Sequence, residues 1–205
     1  LYYLLVQNSH PPLKLRADSF FFVQNQKPFH YVHLNLRQLI IAFHTYHWLG
    51  YRHQLEKILS LNQSHIPAVS DLDRAGIDNF SKEADYFKCI ERNKEILAFL
   101  IALGPGKNYK SPNYKWFEDR YDSFMYVDRI IVGEEFQKLG YGKALYNDLV
   151  QYSKNKSDSI TCEVNIRPKN KGSMVFHKKF GFIEVGTQKT DCGKKEVSLM
   201  RYLIP

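Results

Sequence analysis

The chain has 205 residues, 44% of them hydrophobic, enough for one well-filled core with room for an appendage. A net charge of +8 and a pI near 9.2 admit anionic partners, either an acidic small molecule or nucleic acid, and say nothing about fold. Three widely spaced cysteines, Cys89, Cys162 and Cys192, argue against a disulfide framework or a zinc site and suit a reducing compartment, the cytoplasm. The first fifty or so residues carry one acidic residue, Asp18, and with His53 hold six of the eight histidines: His10, His30, His33, His44, His47 and His53. None of these repeats a metal-ligand spacing, so no metal is expected. Leu1 to Val6 is apolar but too short to span a membrane, and no charged region precedes it. Residues 1–42 are taken as an N-terminal extension of unknown role and residues 43–205 as the domain.

From Phe43 to Tyr51 the composition predicts a first strand, and from His53 to Asn62 a helix that turns Leu55, Ile58, Leu59 and Leu61 inward before Pro67. A second helix follows Ser70, with Asp71 and Asp73 in its first turn, where carboxylates favour the helix dipole. Tyr86–Glu91 and Glu95–Leu103 are apolar runs joined by Arg92-Asn93-Lys94, the spacing of a β-hairpin. A long loop, Lys107 to Ser123, carries Tyr109, Tyr114, Trp116, Phe117 and Tyr121. A loop of this length binds or covers something. It is either an acceptor-binding wall, with Tyr114 and Trp116 as contacts, or a packed flap over the sheet.

Phe124 to Val132 is rich in β-branched and aromatic residues and suits a strand buried on both faces. The polar turn Gly133-Glu134-Glu135-Phe136 follows, then Gln137-Lys138-Leu139-Gly140-Tyr141-Gly142, after which Ala144, Leu145, Leu149 and Tyr152 recur at helical spacing. Glycines at a helix start let backbone N–H groups approach an anion with no Cβ in the way, and the helix dipole adds to the attraction. Ser159 to Ile166 alternates as another strand, with Ile160, Cys162, Val164 and Ile166 on one face and Thr161, Glu163 and Asn165 on the other. A helix from Asn170 to Phe180 and strands near Ile183–Thr187 and Glu196–Leu203 complete the chain. The order predicts an α/β fold of the α+β type, a mixed sheet flanked by helices.

The Gln137-x-x-Gly140-x-Gly142 turn after a central strand resembles the acetyl-CoA pyrophosphate motif of the GNAT N-acetyltransferase superfamily. Downstream, Asn170-x-x-Ser173-x-x-Phe176-His177-x-x-x-Gly181-Phe182 is similar to that family's second motif, Asn-x-x-Ala-x-x-Leu-Tyr-x-x-x-Gly-Phe. The match covers about residues 53 to 205. Ile66-Pro-Ala-Val-Ser, with Val164-Asn165 and Phe176-His177, resembles an uncharacterised predicted-acetyltransferase branch. The resemblance implies a mostly antiparallel twisted sheet with a splayed central strand pair and acetyl-CoA as cosubstrate. It places the pantetheine arm along Ile130, Ile131 and Val132, and the pyrophosphate over Gln137, Lys138, Leu139, Gly140, Tyr141, Gly142 and Lys143. Asn165, Asn170, Ser173 and Phe176 would complete the cofactor contacts.

Where the family has a tyrosine that protonates the leaving thiolate, this chain has His177. Both side chains donate a proton, with reference pKa values of about 10 and about 6.5. An amine acceptor must lose a proton before it attacks a thioester, and Asp128 or Glu163, or an ordered water, is the candidate base. Asp128 is expected to share a strand face with Tyr126, a further acceptor contact, and with Ile130. The expected function is acetyl transfer from acetyl-CoA to an amine by direct attack. The competing function is a non-catalytic acyl-CoA-binding regulatory module. No membrane partner is expected, no motif that reads nucleic acid is present, and a homodimer stays open.

Overall fold

The hairpin and the strands after it are apolar enough to be covered on both faces, and helices lie on each. The computed structural model describes residues 32–34, 39–43 and 48–205, with side chains from residue 53 onward. The elements run β1 (Val32–Leu34), β2 (Leu39–Phe43), α1 (Trp48–Gln63), α2 (Arg74–Glu83), β3 (Tyr86–Arg92), β4 (Glu95–Leu103), α3 (Pro112–Glu118), β5 (Met125–Val132), α4 (Tyr141–Ser153), β6 (Ser159–Arg167), α5 (Lys171–Phe180), β7 (Ile183–Thr190) and β8 (Lys195–Leu203). The strands form one sheet in the order β1-β2-β3-β4-β5-β6-β8-β7. Every pairing among them is antiparallel except β5 with β6. This is the mixed, mostly antiparallel α+β architecture expected.

Two cores result. On one face Leu145, Tyr146 and Leu149 of α4 pack with Ala98, Leu100 and Ala102 of β4. On the other, Leu55 and Ile58 of α1, Ile77 and Phe80 of α2 and Phe117 of α3 pack with Phe99, Ile101 and Leu103. β4 thus serves both cores by simple alternation, which explains its near-continuous apolar sequence.

The parallel pair decides where a ligand can enter. β5 and β6 pair only through Met125–Ile160, Tyr126–Thr161 and Val127–Cys162. Beyond Val127 and Cys162 the two strands separate while each continues, β5 to Val132 and β6 to Arg167. A bulge accompanies the separation: Ala102 pairs with Val127 and Ile101 with Arg129, so Asp128 is the extra residue on β5. Tyr126 therefore faces the α1–α3 core, whereas Ile130, opposite Leu100, packs against the α4 core. The strict alternation that would put Tyr126, Asp128 and Ile130 on one face does not hold.

Other expectations change in detail. Leu39–Phe43 is the strand and α1 begins at Trp48, so Phe43–Tyr51 is not a strand. Aromatic residues favour strands only weakly, and tertiary context overrides that preference. Asp73 is the N-cap of α2, its carboxylate accepting from Gly76 N at 2.7 Å, and Asp71 precedes the helix. The boundary set at residue 42 falls inside β2, which pairs with β3 through Ile40–Glu91 to Phe43–Lys88. The long loop contains α3, capped by Ser111 with Pro112 in its first turn. Ser-Pro is a helix-start signal that the sequence carries. The expectations for Leu1–Val6 and for His10, His30, His44 and His47 lie outside the described residues.

Candidate active site

The splay opens a cleft of about 1140 Å³ between β5, β6, α4 and α5. Its α4 wall starts with a short 3-10 helix, Glu134–Phe136, after which Lys138 and Gly140 take positive φ values of 63° and 92°. That path aims the first turn of α4 at the cleft, and no side chain caps it. The N–H groups of Tyr141, Gly142 and Lys143 have no partner within the helix, as at any helix start. The two glycines serve different ends. A Cβ on Gly140 would meet nothing within 4 Å, so that residue is required for its left-handed backbone. A Cβ on Gly142 would lie 3.0 Å from the Phe176 ring, so that residue lets α5 approach α4. Lys138 and Lys143 flank this turn and, with Lys179 and Lys195, line the cleft, which supplies cationic groups suited to phosphates.

Of the anticipated cofactor contacts, Ile130, Ile131, Val132, Gln137, Lys138, Gly140, Tyr141, Gly142, Lys143, Asn165, Asn170, Ser173 and Phe176 all line the cleft. Leu139 does not; its side chain is exposed. Asn170 caps α5, its Oδ1 accepting from Ser173 N at 3.0 Å. Two contacts bridge the mouth from the α1–α2 connection. His65 Nε2 lies 3.1 Å from the Val132 carbonyl, and Asn165 Nδ2 donates to the Ala68 carbonyl at 3.3 Å.

The carboxylates differ in freedom. Asp128 is held by Arg129 Nε at 2.6 Å and by the Tyr109 hydroxyl. Arg129 is itself buried and fixed by Asn62 Oδ1 at 2.7 Å and Ser70 Oγ at 3.1 Å. Glu163, in the splay on β6, keeps one oxygen, Oε2, buried without a partner. Burial, and then the negative charge of Asp128, pushes its carboxyl up to about 7.

His177 lines the cleft but is only 3% exposed, and both of its nitrogens are engaged. Nδ1 lies 2.8 Å from the Ser173 carbonyl, which can only accept, so the ring proton sits there. Nε2 then accepts from the Tyr146 hydroxyl at 2.8 Å. Burial holds the imidazole neutral, lowering its pKa to about 4. In this arrangement the histidine aims no proton at the cleft.

Tyr114, Trp116 and Tyr126 are not among the lining residues. Tyr114 is fully buried, its hydroxyl donating to Gly104 O at 2.8 Å and accepting from Lys107 N at 2.9 Å. Trp116 lies against Gly186, 2.8 Å from where a Cβ would stand. Tyr126 is fully buried beneath the site, with Ser111 Oγ 3.4 Å from its hydroxyl. Tyr109, Ser111, Asn113, His65, Arg129 and Tyr146 line the cleft and had not been anticipated. The length of the Lys107–Ser123 loop and the Ser111-Pro112 helix start within it were the signals that pointed to Tyr109, Ser111 and Asn113. Among the described residues no group of three His, Cys, Asp or Glu side chains could hold a metal, and no helix is long and apolar enough to cross a membrane.

A search among curated proteins gave no match. Solved structures do match. Ard1 from Thermoplasma volcanium aligns with a TM-score of 0.62 at 16% identity, covering 82% of this chain and 98% of that one. Arabidopsis thaliana NAA60 in complex with acetyl-CoA aligns with a TM-score of 0.60 at 20% identity, covering 80% and 99%. The ribosomal-protein-S18-alanine N-acetyltransferase from Escherichia coli gives 0.59 at 16% identity, covering 82% and 94%. At these identities the likeness is one of fold. The profile of the acetyltransferase (GNAT) family matches residues 52–182, which include the hairpin, the splayed strands and both helices of the cleft, and the chain belongs to that family.

Proposed function

We propose that the protein binds acetyl-CoA along the splay and transfers the acetyl group directly to an amine, with Glu163 as the base. The observation that carries this reading is the position of Glu163. A carboxyl near neutrality, one oxygen unpartnered, lines the same cleft as the uncapped start of α4. The fit to acetyl-CoA rests on the free first-turn amides, the open space above Gly140 and the lysines around them. Acetyl-CoA supplies the activated acyl group. Gln137, Lys138, Gly140, Tyr141 and Lys143 hold its phosphates, and Ile130 to Val132 align its arm. Glu163 takes the proton that the attacking amine must lose, and alignment of amine and thioester supplies much of the rate. Asp128, already bound by Arg129 and Tyr109, acts through its charge. His177 joins α5 to α4.

The test is a screen of amine classes that follows release of free CoA thiol, with acetyl-CoA binding measured separately by calorimetry in the presence of a chelator. Binding persists under chelation, activity rises with pH through about 7, where Glu163 loses its proton, and Glu163→Gln lowers kcat about 10²-fold or more with little change in acetyl-CoA affinity. Binding without turnover of any amine would make the protein an acyl-CoA-binding module instead. Loss of binding on chelation would remove the central assignment.

A further inference from the structure

We propose that His65 latches the α1–α2 connection onto the free edge of β5, and that acetyl-CoA binds by taking the Val132 carbonyl from it. The inference rests on the reading that the arm of acetyl-CoA runs along Ile130 to Val132. Gly133 N donates to Leu97 O at 2.9 Å, so Ala98 and Val132, which face each other on β4 and β5, exchange no hydrogen bond directly. The N–H and C=O groups of Val132, and by alternation those of Ile130, therefore point away from β4 into the splay. Beyond Val127 the pairing with β6 has ended, so no strand receives them. The two amides in the arm of acetyl-CoA suit that edge as a further strand would. One acceptor of the edge is already taken. His65 Nε2 lies 3.1 Å from Val132 O, and Gln137 Nε2 stands farther off, at 3.5 Å. A carbonyl only accepts, so the histidine supplies the proton. The other ring nitrogen, Nδ1, lies 2.9 Å from Leu61 O and 3.1 Å from Ser64 Oγ, which fix the orientation of the ring.

The rest of the connection shows how such a latch opens without unfolding. Both ends are clamped by Arg129, which is buried: its Nη1 donates to Asn62 Oδ1 at 2.7 Å and its Nη2 to Ser70 Oγ at 3.1 Å. Asn62 Nδ2 in turn donates to Ser70 O at 3.2 Å, closing the loop at its base. Between these clamps the chain bonds to each splayed strand once, through His65 to Val132 of β5 and through the Ala68 carbonyl to Asn165 of β6. Ser64, Ile66, Pro67 and Ala68 are exposed, so core packing does not hold the middle down. A single neutral hydrogen bond is weak, and an arm that brings its own amide N–H displaces it while the clamped ends stay in place.

Calorimetry on the whole chain tests this with acetyl-CoA and with its nucleotide half, adenosine 3′-phosphate 5′-diphosphate, which has the phosphates and lacks the arm. His65→Phe and His65→Ala both remove the latch. Acetyl-CoA should bind either variant about fivefold more tightly than the parent, the worth of one hydrogen bond, while the nucleotide binds all of them alike. His65 is half-buried in a surface connection, so both variants keep the fold. In parent protein carrying ¹⁵N-labelled histidine rings, the His65 signal, identified by its loss in the variants, should shift on addition of acetyl-CoA and stay in place with the nucleotide. Unchanged or weaker acetyl-CoA binding in the variants, or a gain shared by both probes, overturns the latch and leaves acetyl-CoA binding standing. If acetyl-CoA binds neither parent nor variants, the assignment of the cleft is lost and the latch with it.

Discussion

His177 and Glu163 line one cleft and shift in opposite senses, and each shift is also a statement about stability. For His177 the folded pKa, about 4, lies below the reference of about 6.5. The unfolded chain therefore takes up a proton first as pH falls, and up to roughly 3 kcal/mol of stability is lost between pH 6.5 and 4. For Glu163 the folded pKa of about 7 lies above the ordinary glutamate value of 4.5, so the native state binds the proton first and stability is lost as pH rises between those values. In the parent the two effects oppose each other. Melting followed by circular dichroism should show a steeper acid loss in Glu163→Gln, and in His177→Phe a melting temperature that rises as pH is lowered from 7 to 4.5. The Phe variant should also lose about 1–3 kcal/mol at neutral pH, because Ser173 O and the Tyr146 hydroxyl lose their partner. A 10²-fold fall in kcat with stability unchanged would instead make His177 the acid. Asp128→Asn removes the charge that helps raise Glu163, so the rise of activity with pH should move to lower pH. An unmoved limb would separate Asp128 from the base.

At the scale of elements, the start of α4 and its contact with α5 are tested by two glycines. Gly140→Ala places a Cβ in open space on a backbone at φ 92°, so it should cost about 1–2 kcal/mol through strain, with no clash. Gly142→Val drives side-chain atoms into Phe176, whose ring already lies 3.0 Å from the Cβ position. It should weaken acetyl-CoA binding and lower the melting temperature together, because the α4–α5 contact carries both. Calorimetry and thermal melting on the two variants distinguish these outcomes. A Gly142→Val protein that binds weakly but melts like the parent would show that the glycine serves only ligand approach.

For the whole molecule, the sheet extends past the family-matched region through β2, which covers the edge of β3. A chain beginning at Leu39 keeps that cover and should remain folded and bind acetyl-CoA. One beginning at Trp48 exposes the N–H and C=O groups of β3 from Lys88 to Glu91, and should melt lower or aggregate. Equal melting temperatures for the two would mean that β2 adds nothing to the sheet.

The sequence by itself determined the order of most elements, the mixed sheet and the α4 turn, because apolar periodicity and glycines act over a few residues. The two motifs, Gln137 to Gly142 and Asn170 to Phe182, also marked both helices of the cleft through their resemblance to the family's patterns. Only the tertiary structure decided which polar groups are free. The bulge at Asp128 turns Tyr126 and Ile130 to opposite faces, and it arises from pairing with β4, which no strand carries in its own alternation. His177 and Asp128 are satisfied by Tyr146, Ser173, Arg129 and Tyr109, while Glu163 keeps an unpartnered oxygen. Tyr109 and Asn113 line the cleft from a part of the chain distant from β6, and Asn113 is held there by Gln188, 75 residues further on. A hydrogen bond across that distance leaves no periodic trace in sequence; the packing of α3 against the sheet creates it.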